Sequence, residues 1–155
     1  MFRSLRLTTP LLLAAVLQLA ACASTPQAGP ERDAEAKEFY AHPATAALYV
    51  YRAGISSLDE DSVLYIDDRL IGATLPRTYF RFDVRPGRHR LHGVGADSGS
   101  IEMDVRAGEI YFVSLKVLGG NSFLALEDPE VAREALIGCC ALLENWAPGQ
   151  RPLFR

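Results

Sequence analysis

Reactive side chains are scarce in this chain. Its 155 residues hold three histidines, three cysteines and one tryptophan. Cys139 and Cys140 have no histidine or second cysteine pair near them in sequence, so the spacing of a zinc site is missing. No serine stands in a Gly-x-Ser-x-Gly elbow, which removes one signature of a serine hydrolase. A cationic surplus is missing too: 16 basic residues against 19 acidic ones give a net charge of −3. General nucleic-acid binding needs a basic surface to displace counterions, so no nucleic-acid partner is expected. Beyond residue 21 no apolar run approaches the roughly 20 residues of a membrane span. Strand–helix alternation is also lacking, which argues against a parallel α/β sheet. Neither a cofactor nor a metal ion is expected.

What is present starts at the N-terminus. Arg3 and Arg6 precede an apolar stretch from Leu11 to Ala21, the build of a secretory signal. Leu19-Ala20-Ala21-Cys22 resembles the bacterial lipobox. That resemblance implies lipidation of Cys22 on sulfur, cleavage before it and acylation of the new amino group. A plain signal peptide with a chance cysteine, or an uncleaved anchor, is the alternative, although the run is short for an anchor. Residues 1–21 carry Arg3 and Arg6 and no acid, so their removal leaves 134 residues with 14 basic and 19 acidic side chains. Two acyl chains already hold a protein stably on a membrane. Ala23 follows the lipidated position, where enteric bacteria use aspartate to retain lipoproteins in the inner membrane. The expected address is therefore the cell envelope, on the periplasmic face of the outer membrane, with the membrane held through the N-terminal lipid.

Residues 22–43 read as a lipidated tether, small and punctuated by proline and glycine, that could extend about 65 Å. A domain over residues 44–145 follows, then a loose tail over 146–155. Residues 46–52 form a strand whose two faces are both apolar or aromatic, which suits an interior position. Strands over 62–66 and 70–73 flank a tight Asp67-Asp68-Arg69 turn. Residues 77–84 alternate with period two, placing Phe80, Phe82 and Val84 on one face and Arg77, Tyr79, Arg81 and Asp83 on the other. A turn at Arg85-Pro86-Gly87-Arg88 leads to a strand with Arg88 and Arg90 on its polar side. Strands over 101–105, 111–117 and 122–127 complete the run. Asp128-Pro129-Glu130 then starts a helix to about residue 143, with Ala132, Leu136, Cys139 and Leu143 on one face. This pattern predicts a mainly β fold: a small antiparallel β-sandwich of about seven or eight strands followed by one C-terminal α-helix.

Several blocks resemble one family. Ala47-Leu48-Tyr49-Val50-Tyr51-Arg52, Ile66-Asp67-Asp68-Arg69-Leu70-Ile71-Gly72, Thr78-Tyr79-Phe80, Arg85-Pro86-Gly87-Arg88-His89-Arg90-Leu91 and Ala107-Gly108-Glu109-Ile110-Tyr111-Phe112-Val113 follow in the order of the domain-of-unknown-function 2846 family, over roughly residues 45–135. The Pro-Gly turn before His89 and the later Ala-Gly-Glu also resemble the PEGA repeat, a small β-sandwich module of envelope proteins. The resemblance implies a bacterial lipoprotein or secreted protein and carries over no catalytic residue. Asp68 departs from it, since that turn more often has glycine.

Candidate chemistry is thin. His89 could act as a base only with an acidic partner and a nucleophile beside it; the alternative is a histidine bonded to backbone at the sheet edge. Asp59, Glu60 and Asp61 with Asp67 and Asp68 lack the spacing of a calcium loop and read as solvated acids. Cys139 and Cys140 read as two small apolar helix residues, with an intermolecular disulfide as the alternative, because a bridge between neighbours is uncommon. Arg77, Tyr79, Arg81, Arg88 and Arg90 are the candidate binding patch: two strands expected to be hairpin neighbours present them on one polar face, with an anionic sugar polymer, lipid headgroups or an acidic protein surface as ligand. The alternative is a solvated face whose arginines pair with Glu102 and Asp104. On the patch reading, Arg81→Glu leaves thermal stability nearly unchanged. These features point to a lipid-anchored, non-catalytic interaction module for an envelope protein or peptidoglycan. An envelope hydrolase or transferase with a dispersed site, or a structural subunit of an envelope complex, is the alternative.

Overall fold

A computed structural model describes residues 25–54, 62–93 and 99–144. The expected signal segment over 1–21, the expected lipidation site Cys22, the acids at 59–61 and the tail over 146–155 lie outside the described residues.

The chain forms a short helix α1 (Pro30–Ala36), eight strands β1 (Ala46–Arg52), β2 (Ser62–Ile66), β3 (Arg69–Thr74), β4 (Thr78–Val84), β5 (Gly87–His92), β6 (Ser100–Val105), β7 (Ile110–Leu118) and β8 (Asn121–Leu126), then helix α2 (Pro129–Cys139) and a two-residue strand β9 (Ala141–Leu142). Two sheets stack face to face: β8-β7-β1-β4-β9 and β3-β2-β5-β6. The fold is thus the mainly β sandwich that the alternation predicts.

Alternation places the core. Leu48, Val50, Phe80, Phe82, Val113 and Leu115 point from the five-stranded sheet onto Leu64, Ile66, Leu91, Met103 and Val105 of the other. The opposite face of the five-stranded sheet is not open. Ala47, Tyr49, Tyr51, Tyr79, Phe112 and Leu142 of β9 lie there under Ala36, Ala132 and Leu136, a second and smaller core. That double cover explains why all seven residues of β1 are buried, as an interior strand requires. Aromatic stacking knits this outer layer, with ring centroids 5.2 Å apart for Tyr49 and Phe112 and 6.0 Å apart for Tyr49 and Tyr79.

Four expectations are corrected. First, the sandwich is not wholly antiparallel: β1 pairs with β7, and β4 with β9, in parallel. Period-two patterning reports which face a residue takes and is silent on strand direction. Second, β4 and β5 are not hairpin neighbours. The Arg85-Pro86-Gly87 turn carries the chain from one sheet to the other, with Gly87 at φ 133 supplying a conformation L residues avoid. Third, the C-terminal helix stops at Cys139. Cys140 turns extended (φ −118, ψ 141), and Leu143, expected on the helix face, enters the sandwich core instead. Asp128 caps the start as its sequence indicates, accepting from Glu130 N at 2.9 Å and Val131 N at 3.3 Å.

The fourth correction concerns the tether. Residues 25–44 are packed on the domain. Thr25 Oγ1 donates to Ala73 O at 2.8 Å, Ala28 N donates to Leu142 O at 2.8 Å, and the Tyr49 hydroxyl donates to Ala36 O at 2.6 Å. Small residues that read as too poor to pack a core are what the space beside large tyrosines accepts: Ala36 and Ala41 are both buried there. Among the described residues no helix is long and apolar enough to cross a membrane.

At one edge the sheets approach closely. Gly93 sits against β8, where an added Cβ would fall 2.1 Å from Ser122 Oγ. Ser122 Oγ meets Ser62 Oγ at 2.8 Å across the same gap.

Candidate functional site

The structure disperses the five residues of the expected patch. Arg77 is not on a strand: it occupies the turn before β4 at φ 57, and its Nε donates to Cys139 O at 3.4 Å. Tyr79 is buried beneath α1, its hydroxyl donating to Asp33 Oδ1 at 3.0 Å. Burial first, and then the Asp33 carboxylate, push its pKa far up, so it stays a neutral donor. Arg81 shares that covered face, bound to Asp83 at 3.1 Å and to Tyr40 O at 3.1 Å. Arg88 and Arg90 flank the buried Leu91 and His89 on β5 and so face outward from the other sheet. Arg88 Nε lies 3.6 Å from Asp104 Oδ1, and Arg90 is in register with Glu102, the paired arrangement held as the alternative. One sandwich thus separates Tyr79 and Arg81 from Arg88 and Arg90, and no single patch exists.

His89 is committed. Its Nδ1 is 2.6 Å from Asp67 Oδ2 and its Nε2 is 2.7 Å from Arg85 O. Both ring nitrogens face acceptors, so neither is open to take a proton from a substrate. Asp67 is held for this by a two-residue turn in which Asp67 and Asp68 have φ 49 and 61, and its Oδ1 accepts from Arg90 N at 3.0 Å. His92 stacks on Tyr65 with an interplanar angle of 1°. Among the described residues no group of three or more His, Cys, Asp or Glu is placed to hold a metal ion. Cys139 and Cys140, read as free apolar residues, are bonded to each other.

A cleft of about 320 Å³ opens elsewhere, at the end of the five-stranded sheet. It follows from a mismatch in strand length. The parallel pairing of β1 with β7 ends at Tyr51 and Ser114, while β7 runs on to Leu118. The gap left beside Ala53 and Gly54 is walled by Leu115 to Leu118 and by Ala135 of α2. Its lining is mostly apolar; Ser114 Oγ donates to Glu127 Oε1 at 2.6 Å, Arg52 is anchored on Thr74 O at 3.0 Å, and Lys116 adds a second cation. Burial first, and then the charge of Glu127, raise the pKa of Tyr51 at the same wall. Leu118 lines it and is 51% exposed, and Phe123 on the neighbouring strand is 52% exposed. Phe123 is in register with Lys116, so the two share a face with Ser114 and Leu118. Such a site can seat an apolar side chain and offer one carboxylate to a donor. No motif marks these residues in the sequence. They converge only because two strands of unequal length pair in parallel, which alternation does not report.

Comparison with known proteins bears on residues 43–127, where a family model described as a protein of unknown function (DUF2846) matches. An uncharacterized protein of Haemophilus influenzae is 30% identical over 104 residues, 66% of this chain. The match spans 62% of that relative's own length. No solved structure matches. The matched stretch runs through β1 to β8, so the four-stranded sheet, the five-stranded sheet without β9, the Asp67 turn and all of the cleft but Ala135 fall within it. With more than half of its residues under that family model, the chain belongs to the family of proteins of unknown function DUF2846.

Proposed function

We propose that this chain is a lipid-anchored, non-catalytic interaction module of the bacterial cell envelope, and that its partner is an envelope protein. The lipobox-like Leu19-Ala20-Ala21-Cys22 supports the anchor, and Ala23 after it favours the outer membrane. The observation that carries the partner class is the cleft with Leu118 exposed in its wall and Phe123 exposed on β8 in register with the lining residue Lys116. Its lining is mainly apolar, whereas a sugar polymer is gripped through many hydrogen bonds. A protruding aliphatic or aromatic side chain with a donor group beside it matches the apolar walls and the Glu127 carboxylate. The hydrolase or transferase reading is weaker. Ser114 meets a carboxylate, and the His89 ring has both nitrogens engaged elsewhere.

Two measurements test the two halves. Photo-crosslinking in cells from position 123 is expected to give discrete protein adducts, and Leu118→Glu is expected to abolish them at unchanged thermal stability. Adducts confined to the cell-wall fraction, or adducts indifferent to Leu118→Glu, sink the protein-partner reading. Cys22→Ser is expected to yield a larger, unprocessed or soluble form. Unchanged size and membrane fractionation would overturn the anchor.

A further inference from the structure

The bond between Cys139 and Cys140 has no evident structural purpose. A disulfide stabilises mainly by closing a loop in the unfolded chain, and one between sequence neighbours closes almost none. Packing does not need it either, since two small apolar residues would fill the same volume. What the bond does is join two residues at a mechanical junction. The chain passes from helix to strand there within a single residue: Cys140 N still donates to Leu136 O at 3.2 Å, and Ala141 N already donates to Arg77 O at 3.1 Å. The junction ties α2 to β4 through β9.

Two cations attend the pair. Lys37 Nζ donates to Cys140 O at 2.7 Å, and Arg77 Nε donates to Cys139 O at 3.4 Å. A helix C-terminus disfavours negative charge. These cations oppose that effect, Lys37 in part because its charge is shared with Asp33 Oδ2 at 2.7 Å, and positive charge nearby favours the thiolate over the thiol. Access differs between the sulfurs' residues, with Cys140 buried and Cys139 half-buried.

We infer that Cys139–Cys140 is a thiol–disulfide exchange site whose co-substrate is a dithiol, and that its oxidised form locks the α2–β9 junction. A thiolate of the dithiol attacks Cys139 Sγ, the reachable sulfur. The Cys139–Cys140 bond breaks, and Cys140 leaves as a thiolate and takes a proton. The dithiol's second thiolate then attacks its own sulfur in the mixed disulfide and expels Cys139, which takes the second proton. Two electrons and two protons pass to the protein, and the dithiol becomes a disulfide. The reverse sequence closes the site. The reduced junction no longer holds Cys140 in one orientation, so β9 is the element released.

The test uses the full-length folded protein and dithiothreitol as the dithiol. Peptide mapping keeps Cys22 separate. Before treatment the peptide spanning both cysteines is expected to be lighter by two hydrogens than the dithiol form and inert to alkylation. After treatment under native conditions both thiols are expected to be trapped. Hydrogen exchange at the amides of Cys140, Ala141 and Leu143 is expected to quicken by about tenfold or more on reduction, with Phe80 and Val113 unchanged. The double substitution Cys139→Ser with Cys140→Ser is expected to show the fast exchange from the outset and no response to dithiothreitol. Two alkylatable thiols in air-equilibrated protein, or a bridge that stays closed to dithiothreitol until the protein unfolds, would overturn the exchange site. Exchange rates that ignore reduction would overturn the lock.

Discussion

Replacing Asp33 with alanine is expected to lower the free energy of unfolding by roughly 2–4 kcal/mol, although its segment reads as a solvated tether. One carboxylate binds three parts of the fold. Its Oδ1 accepts from Leu142 N at 2.8 Å and from the Tyr79 hydroxyl at 3.0 Å, and its Oδ2 from Lys37 Nζ at 2.7 Å. The substitution leaves the amide of a buried strand residue without its acceptor, and α1 loses its side-chain links to β4 and β9. Burial by itself would raise the pKa of Asp33. The hydrogen bonds from Lys37, Leu142 and Tyr79 outweigh burial and hold it below the ordinary 3.8. The unfolded chain then binds this proton more readily than the folded one. The contribution of Asp33 is complete above the unfolded pKa and is lost as the pH falls through the lower folded value. Urea melts of wild type and variant should therefore differ most at neutral pH, and the gap should close below about pH 4. A variant within about 0.5 kcal/mol of wild type at neutral pH would mean that α1 is not docked.

That residue also marks where the sequence stops being readable. Period two in residues 78–84 and 101–105 identifies strands and their inward faces, because a half-buried sheet imposes it. The unbroken apolar run from Ala46 to Tyr51 identifies an interior strand, because such a strand has no solvated side. The Asp128-Pro129 pair marks a helix start by cap chemistry that is local. None of these signals encodes partners. Whether β4 continues into a hairpin or crosses to the second sheet depends on tertiary packing, and the Pro86-Gly87 turn is compatible with both. Ala28, Ala36 and Ala41 gain meaning only once Tyr49 and Tyr79 are known to face outward, since a small residue signals a close approach only to a known neighbour. The candidate patch failed on the same point: alternation set Tyr79, Arg81, Arg88 and Arg90 opposite the sandwich core, and it is silent on the cover over Tyr79 and Arg81, on the turn that holds Arg77 and on β4 and β5 lying in different sheets. The cleft had no signal at all, because it is the absence of strand on the β1 side of the last residues of β7.

Arg81→Glu is expected to cost roughly 2–4 kcal/mol and about 10 °C in Tm, against little change for Arg88→Glu. Sequence gives the two arginines equal standing, each alternating with core residues on an amphipathic strand. Their surroundings differ. The Arg81 side chain is 25% exposed and the Arg88 side chain 71%. Arg81 donates to Asp83 Oδ2 at 3.2 Å and to Tyr40 O at 3.1 Å, and it hydrogen-bonds Tyr49, its partner in register on β1. Burial by itself would lower the pKa of the guanidinium; Asp83 and Tyr49 outweigh it, so the charge persists. Glutamate at this position sets a second carboxylate against Asp83 in a space roofed by the N-terminal segment, and both lose their counter-charge. The cost is that of a partly buried charge left unpaired, tempered by the water that still reaches it. Among the described residues Arg88 meets Asp104 at 3.6 Å on an open sheet face, where solvent screens the pair and long side chains are free to move apart. Thermal melts of the two variants separate the cases. A large drop for Arg81→Glu with a small one for Arg88→Glu fits arginines on opposite faces, one roofed and one open. Equal small drops would place Arg81 in solvent and mean that the N-terminal segment does not roof the outer face of β4.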